Sequence, residues 1–289
     1  MTSNAGQPVR ADLADLLALA DATILPTQVS ERAKALAVAP RSPLRVGVDL
    51  GTAYLVLVVL DENGWPLAGE WQYAEVVRDG LVVDFIRAVD LLRGMKERVE
   101  RRLGRQLAAA SSAYPPGVPQ AEVRAVANVL EAAGLHCSGL IDEPSAANLV
   151  LQVPDGAIVD VGGGTTGIAI VQNGQVTYTA DEPTGGTHFS LVVAGSQNLS
   201  FEAAEALKTR PEEQARLFPS LRPVMEKVAS IILRHVEGRT VPLIVLVGGT
   251  SAFPSMAEVV EDYTHIPTWV PPNPLLVTPL GIALHDKLQ

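Results

Sequence analysis

Apolar and polar residues follow more than one rhythm along this chain. Leu13, Leu16, Leu17 and Ala20 recur at i, i+3, i+4 and i+7, which predicts a short amphipathic helix over residues 12–20. Ser30 stands where a cap would start a second helix running to Val38; Pro40 and Pro43 then stop helical structure and read as a hinge. Two readings of residues 1–44 stay open. One is a helical arm packed on the body; the other is an amphipathic docking element for a partner or a protein shell.

From Arg45 the rhythm changes to apolar runs of strand length. Residues 45–60 read RVGVDLGTAYLVLVVL and lead into Asp61-Glu62-Asn63-Gly64. Residues 157–171 read AIVDVGGGTTGIAIV and lead into Gln172-Asn173-Gly174. Each copy predicts a strand ending in Asp, a Gly-Thr turn, a second strand, an Asn-Gly hairpin turn and a third strand. The Asp lies 14 residues before the Asn of Asn-Gly in the first copy (63 − 49) and 13 in the second (173 − 160). A register held within about one residue keeps the same side chains facing inward. Two copies of one βββ unit therefore imply two related lobes facing each other, 45–156 and 157–289. Helices are predicted over 85–103, 121–133, 144–151, 201–208 and 223–236. A strand over 242–247 runs into Gly248-Gly249-Thr250, and a last helix over about 278–288 is a candidate to return to the first lobe.

Composition removes several function classes. Hydrophobic residues make up 47% and charged residues 19%, the profile of a chain that buries a core. A net charge of −10 leaves no basic stripe for nucleic acid or anionic lipid. The single cysteine, Cys137, excludes a disulfide framework and multi-cysteine metal sites, and reads as a buried structural thiol. His136, His188, His235, His265 and His285 have no metal-ligand spacing and read as surface or supporting groups. No signal core and no membrane-length apolar run is present, so a soluble cytoplasmic protein is expected.

The chemistry sits in the turns. In Asp49-Leu50-Gly51-Thr52 and Asp160-Val161-Gly162-Gly163-Gly164-Thr165, glycines let the main chain approach a phosphate, because no Cβ intervenes. Backbone N–H groups and the threonine hydroxyls can then bond phosphate oxygens, and each Asp can hold hydrated Mg²⁺. Either turn alone would pass as a tight turn; recurrence with Asp and Thr in register favours a pair of loops clamping a nucleotide. Gly248, Gly249 and Thr250 form a third close-approach point, suited to the nucleoside end, or a plain strand-to-helix turn. Glu143, in Asp142-Glu143-Pro144, either caps a helix or orients an attacking water. There is no G-x-x-x-x-G-K-[ST] P-loop and no G-x-S-x-G elbow.

These motifs resemble the actin, sugar-kinase and DnaK-type chaperone ATPase superfamily. VGVDLGTAY matches its phosphate-1 loop, IVDVGGGTTG its phosphate-2 loop, VLVGGTSAFP its adenosine loop, and AGLHCSGLIDEPSAAN its connecting segment. VVRDGLVVDF, SSAYPPG, EKVASIILRHVEG and LLVTPLGIA resemble, more closely, the EutJ family of chaperone-like ethanolamine-utilisation proteins, whose pathway runs inside a bacterial microcompartment. The resemblance implies an α/β actin-like ATPase fold: two ribonuclease-H-like lobes around a nucleotide cleft, with a helical N-terminal arm. It implies ATP or ADP with Mg²⁺ served by Asp49 and Asp160. Phosphates would be bound by Gly51, Thr52, Gly162, Gly163, Gly164 and Thr165, and Glu143 would position water. By the same carry-over, Gly185 and Gly186 lie near ribose and phosphates, Glu205 and Lys208 contact adenosine, and Gly248, Gly249 and Thr250 close that pocket. The implied partners are ethanolamine-utilisation enzymes or microcompartment shell proteins, with no nucleic acid and no membrane. The implied location is the cytoplasm, in association with the microcompartment.

The departures bear on turnover. The chain has five lysines and none between Lys34 and Lys96, so the chaperones' first-lobe catalytic Lys has no counterpart; the nearest cation is Arg78. Gly167, Ala252 and Thr187 stand where the chaperones carry an Asp, an adenine-stacking Arg and an acidic residue. A weak ATPase, a non-hydrolysing nucleotide-binding adaptor and an actin-like assembly protein all remain as readings.

Overall fold

A computed structural model of the chain describes residues 10–30, 42–78 and 80–287. The first half forms α1 (Leu13–Thr23), β1 (Ile24–Pro26), α2 (Thr27–Ser30), β2 (Arg45–Leu50), β3 (Tyr54–Leu60), β4 (Pro66–Tyr73), β5 (Val77–Arg78), β6 (Leu81–Val82), α3 (Phe85–Leu103), β7 (Ala109–Tyr114), α4 (Gln120–Ala132), β8 (His136–Asp142) and α5 (Glu143–Leu151). The second half forms β9 (Gly156–Val161), β10 (Thr166–Gln172), β11 (Gln175–Glu182), α6 (Gly186–Gln197), α7 (Phe201–Lys208), α8 (Pro211–Val236), β12 (Ile244–Val247), α9 (Met256–Thr264), β13 (Thr268–Trp269) and α10 (Val277–His285).

The repeated apolar runs become the centres of two sheets, ordered β1-β4-β3-β2-β7-β8 and β11-β10-β9-β12-β13. Setting β1 aside, the two orders are the same. In each, three antiparallel strands from the βββ unit are followed by two strands parallel to the first. The hairpins differ where the sequence spacing differs. Asn173 and Gly174 both have positive φ, 52° and 73°, as a two-residue turn requires. In the first copy only Gly64 does, at 87°, and Asn63 N–H donates to Asp61 Oδ1 at 2.9 Å; both hairpins shift register by one, at Val59/Leu60 and at Ile170/Val171.

Burial explains the continuous apolar character of β3, β9 and β10, which are covered on both faces. One core lies beneath α3 and α4 in the first lobe, around Leu57, Leu92, Met95 and Leu130. Another lies beneath α6, α8 and α9 in the second, around Ile168, Phe189, Leu221 and Met256. The third joins the lobes. It brings Leu16, Leu17 and Ile24 together with Val56, Val58 and Leu60 of the first sheet and Ile158, Val245 and Val247 of the second. The apolar stripe of α1 is thus spent on the body. The helix expected over 30–38 falls, beyond Ser30, outside the described residues.

β1 adds a parallel strand to the free edge of β4, and a buried carboxylate fastens it there. Glu70, fully buried on β4, accepts from Thr27 Oγ1 and Ser30 Oγ, both at 2.6 Å, and from Arg98 Nη2 at 2.5 Å. α10 crosses α5 so tightly that a Cβ on Gly281 would overlap the carbonyl of Ala146, and it lies along β2, where a Cβ on Gly47 would come within 2.5 Å of Ala283 N. The α8 helix starts at Pro211, twelve residues before the expected 223. Pro211 suits a first turn, and the buried row Leu217, Leu221, Met225 and Val228 holds the helix through Pro219 and Pro223. Cys137 is half-buried against the first core rather than fully buried. Among the described residues no helix is long and apolar enough to cross a membrane.

Candidate functional site

The β2–β3 turn of the first lobe and the β9–β10 turn of the second meet at one cleft of about 500 Å³. Their approach leaves no room for side chains. A Cβ on Gly163 would sit 2.7 Å from the Ala53 Cβ, and one on Gly164 would sit 2.9 Å from Thr52 Oγ1. Gly51 N–H donates to the Tyr54 carbonyl and Gly162 N–H to the Thr165 carbonyl, both at 3.0 Å, which closes each turn. The N–H groups of Thr52, Gly163, Gly164 and Thr165 find no acceptor among the described residues. Such donors are rarely left unpaired inside a protein, so four of them lining one cleft are donors open to an oxyanion.

Five carboxylates line that cleft, and three of them, Asp49, Glu143 and Asp160, act on one another electrostatically. Asp49 and Asp160 stand at or near the ends of β2 and β9, and Asp160 accepts from Thr278 Oγ1 of α10 at 2.5 Å. Burial and the neighbouring Asp160 push the Asp49 carboxyl up to about 7. Burial raises Asp160 too, opposed by the Thr278 hydroxyl. The question of Glu143 as cap or as cleft residue is resolved by its neighbour. Asp142 is the cap of α5, its Oδ1 accepting from Ser145 N–H at 3.0 Å, while Glu143 lines the cleft. Burial, then Asp160, Asp49, Asp181 and Asp142, raise Glu143 well above the usual carboxylate range. Among the described residues no three acidic, His or Cys side chains converge as direct metal ligands. Two carboxylates that repel each other beside free N–H donors do fit a dication that keeps its waters.

The second lobe supplies the opposite wall. A Cβ on Gly185 would meet the Gly162 carbonyl at 2.7 Å. Gly186 N–H donates to that carbonyl at 2.9 Å, and Thr250 Oγ1 to the same oxygen at 2.8 Å. Gly248, at φ 84°, would drive a Cβ into Asp160 Oδ1, so the adenosine-type turn and the phosphate-2 strand are packed backbone to backbone. Gly249 lines the same wall beside Leu275. Lys208 Nζ donates to Glu205 Oε2 at 2.7 Å, Ser190 Oγ at 2.9 Å and the Gly186 carbonyl at 3.0 Å; Glu205 also accepts from Ser190 Oγ. Burial lowers the Lys208 ammonium, with Glu205 opposing.

All the residues singled out in the sequence converge here except Gly185, which lies just behind the lining and supports Gly162. Thr278, His188, Asp181 and Phe201 were missed. Phe201, Glu205 and Lys208 fall at i, i+4 and i+7 on α7 and all line the cleft, a spacing that was legible. His188 lines the cleft as well, where its ring also supports the Gly185 backbone. Asp181 pairs across the sheet with Gly167, its Oδ1 3.7 Å from where a Cβ of that glycine would be. Only the hairpin register reveals that contact.

Two lobes with one strand order, joined at a cleft carrying paired phosphate-type loops, define the actin-like ATPase fold. A family model described as MreB/Mbl protein matches residues 69–195, and one described as type IV pilus assembly protein PilM matches residues 143–277. The chain is similar to the ethanolamine utilization protein EutJ of Escherichia coli K12, with 44% identity over 246 residues, 85% of this chain and 87% of that protein. It superposes on the crystal structure of EutJ from Carboxydothermus hydrogenoformans with a TM-score of 0.87 and 43% identity, covering 98% of this chain and 99% of that one. MreB 5 of Spiroplasma citri bound to AMPPNP shares the fold at a TM-score of 0.69 and 19% identity, over 85% of this chain and 96% of that one. The chain belongs to the EutJ family of ethanolamine utilization proteins.

Proposed function

We propose that this chain binds Mg-ATP between its lobes, hydrolyses it slowly, and uses the resulting lobe movement as a chaperone-like factor for enzymes or shell assembly of the ethanolamine-utilisation microcompartment. The observation that carries the reading is the cradle of unspent N–H groups at Thr52, Gly163, Gly164 and Thr165 beside Asp49, Asp160 and Glu143. Asp49 and Asp160 would hold hydrated Mg²⁺, which supplies charge neutralisation at the phosphates. Gly51, Gly162 and Gly186 shape the loops, and Glu143 accepts the proton of an attacking water. The fold's occurrence in an MreB bound to AMPPNP and in one bound to ADP supports a nucleotide as ligand.

A second reading, a nucleotide-bound adaptor without turnover, is favoured by one observation. The Lys of the cleft is on the wrong lobe and its donors are already spent within the second lobe. Calorimetry separates the readings. Mg-ATP and Mg-ADP should bind the wild type and lose at least tenfold in affinity on Asp160→Asn. Phosphate release then decides between slow turnover and none, and absence of nucleotide binding overturns both.

A further inference from the structure

Acidic residues outnumber basic ones along the cleft. Asp49, Glu143 and Asp160 line it, Lys208 has given its donors to Glu205, Ser190 and Gly186, and Arg78, which also lines it from the first lobe, is an exposed side chain. A polyphosphate entering this space needs donors beyond the two loops. The N-terminus of α6 points in from the second lobe, but its backbone is committed: Gly186 N–H goes to the Gly162 carbonyl at 2.9 Å, Thr187 N–H to Gly163 at 2.8 Å, and His188 N–H to Gly185 at 3.0 Å. The first two bonds fasten the phosphate-2 loop and the third closes the helix start, so this helix offers a ligand side chains rather than backbone.

His188 is placed to answer that need. It occupies the third position of α6 and lines the cleft. Its Nδ1 accepts the Gly185 N–H at 3.3 Å. A ring nitrogen that accepts a backbone N–H has no proton of its own, so in the neutral imidazole the proton lies on Nε2. The cap thus fixes the tautomer and leaves one N–H donor on a side chain at the cleft wall. We propose that His188 is a phosphate-binding residue of this site, donating Nε2–H to an oxygen of the nucleotide's phosphate chain. The proposal rests on the nucleotide-binding reading above and names one second-lobe donor within it.

The ring also caps the helix, so the test must separate the two roles. Glu at the third helical position is a strong capping acceptor and favourable at the positive helix end, but has no donor. Gln accepts through Oε1 and still donates through Nε2. Titration calorimetry with Mg-ATP and with adenosine, plus thermal melts, should be run on wild type, His188→Ala, His188→Glu and His188→Gln. The expected result is a loss of about tenfold in Mg-ATP affinity for Ala and Glu, the worth of one hydrogen bond to a charged group. Gln should stay within about threefold of wild type on the same scale. Glu should melt no lower than wild type, and adenosine should bind all four alike. Wild-type affinity in His188→Ala, or an equal loss for adenosine, overturns the proposal while leaving nucleotide binding intact. No Mg-ATP binding by wild type overturns the function reading and this residue's role with it.

Discussion

Asp49 shows how far one side chain can report the state of the cleft. Its carboxyl is raised from 3.8 to about 7 by burial and by Asp160, so the native state holds a proton that the unfolded chain releases. The sign follows directly. Stability from this group is fully present below about pH 4 and is lost as pH rises through about 7. The ligand-free protein should therefore melt at a lower temperature at pH 8 than at pH 5, with Asp49→Asn flattening the difference. Calorimetric melts across that range check it, and an unchanged slope in the variant would exclude Asp49 as the source. Glu143 gives the matching kinetic test. Replacing it with Gln keeps volume and removes the base, so Mg-ATP affinity should hold while any turnover falls by about 10²- to 10⁴-fold. Steady phosphate release in Glu143→Gln at the wild-type rate would remove it from the mechanism.

The elements repeat the lesson of the residues at larger spacing. Glu70 on β4 holds α2 and α3 together through Thr27, Ser30 and Arg98. Glu70→Ala would leave the Arg98 guanidinium uncompensated in a nearly closed site and should cost on the order of 3–5 kcal/mol in urea unfolding. The helices α3 and α7 match their sequence-predicted ranges because each begins at a side-chain cap, Asp84 or Ser200, and carries a regular apolar face. The βββ units were legible because buried strands leave long apolar runs. β7, reading AASSAY, was not; its small side chains carry no apolar signal, and it exists because β2 and β8 flank it. The α6 helix escaped for a related reason, since it starts at Gly185-Gly186 and is held by bonds to a loop far away in sequence. In the cleft, motifs carried by one turn were readable. Contacts made by register or crossover, such as Asp181 beside Gly167 and Thr278 on Asp160, were not, because nothing local in the chain records them.

The two lobes are alike in strand order but not independent. Leu16 and Leu17 of α1 fill a core shared by both sheets, and α10 returns from the second lobe to lie on β2. Removing residues 1–30 should therefore expose apolar surface on both lobes at once and split one cooperative melt into two broader ones, seen by calorimetry. A single sharp transition in the truncated chain would show that the shared core holds without its N-terminal helix.

That shared core also sets an order of events in folding. Its members come from the first thirty residues, the middle, and the last stretch before His285; Val46 N–H is held by the Asp286 carboxylate at 2.8 Å, 240 positions away. The first lobe can pair β2 with β3 and β4 and seat α1 on β4 early, but the shared core stays open until residues 274–276 and α10 join it. Closing that core joins segments far apart in the chain, so it is slow compared with the local hairpin pairing that precedes it.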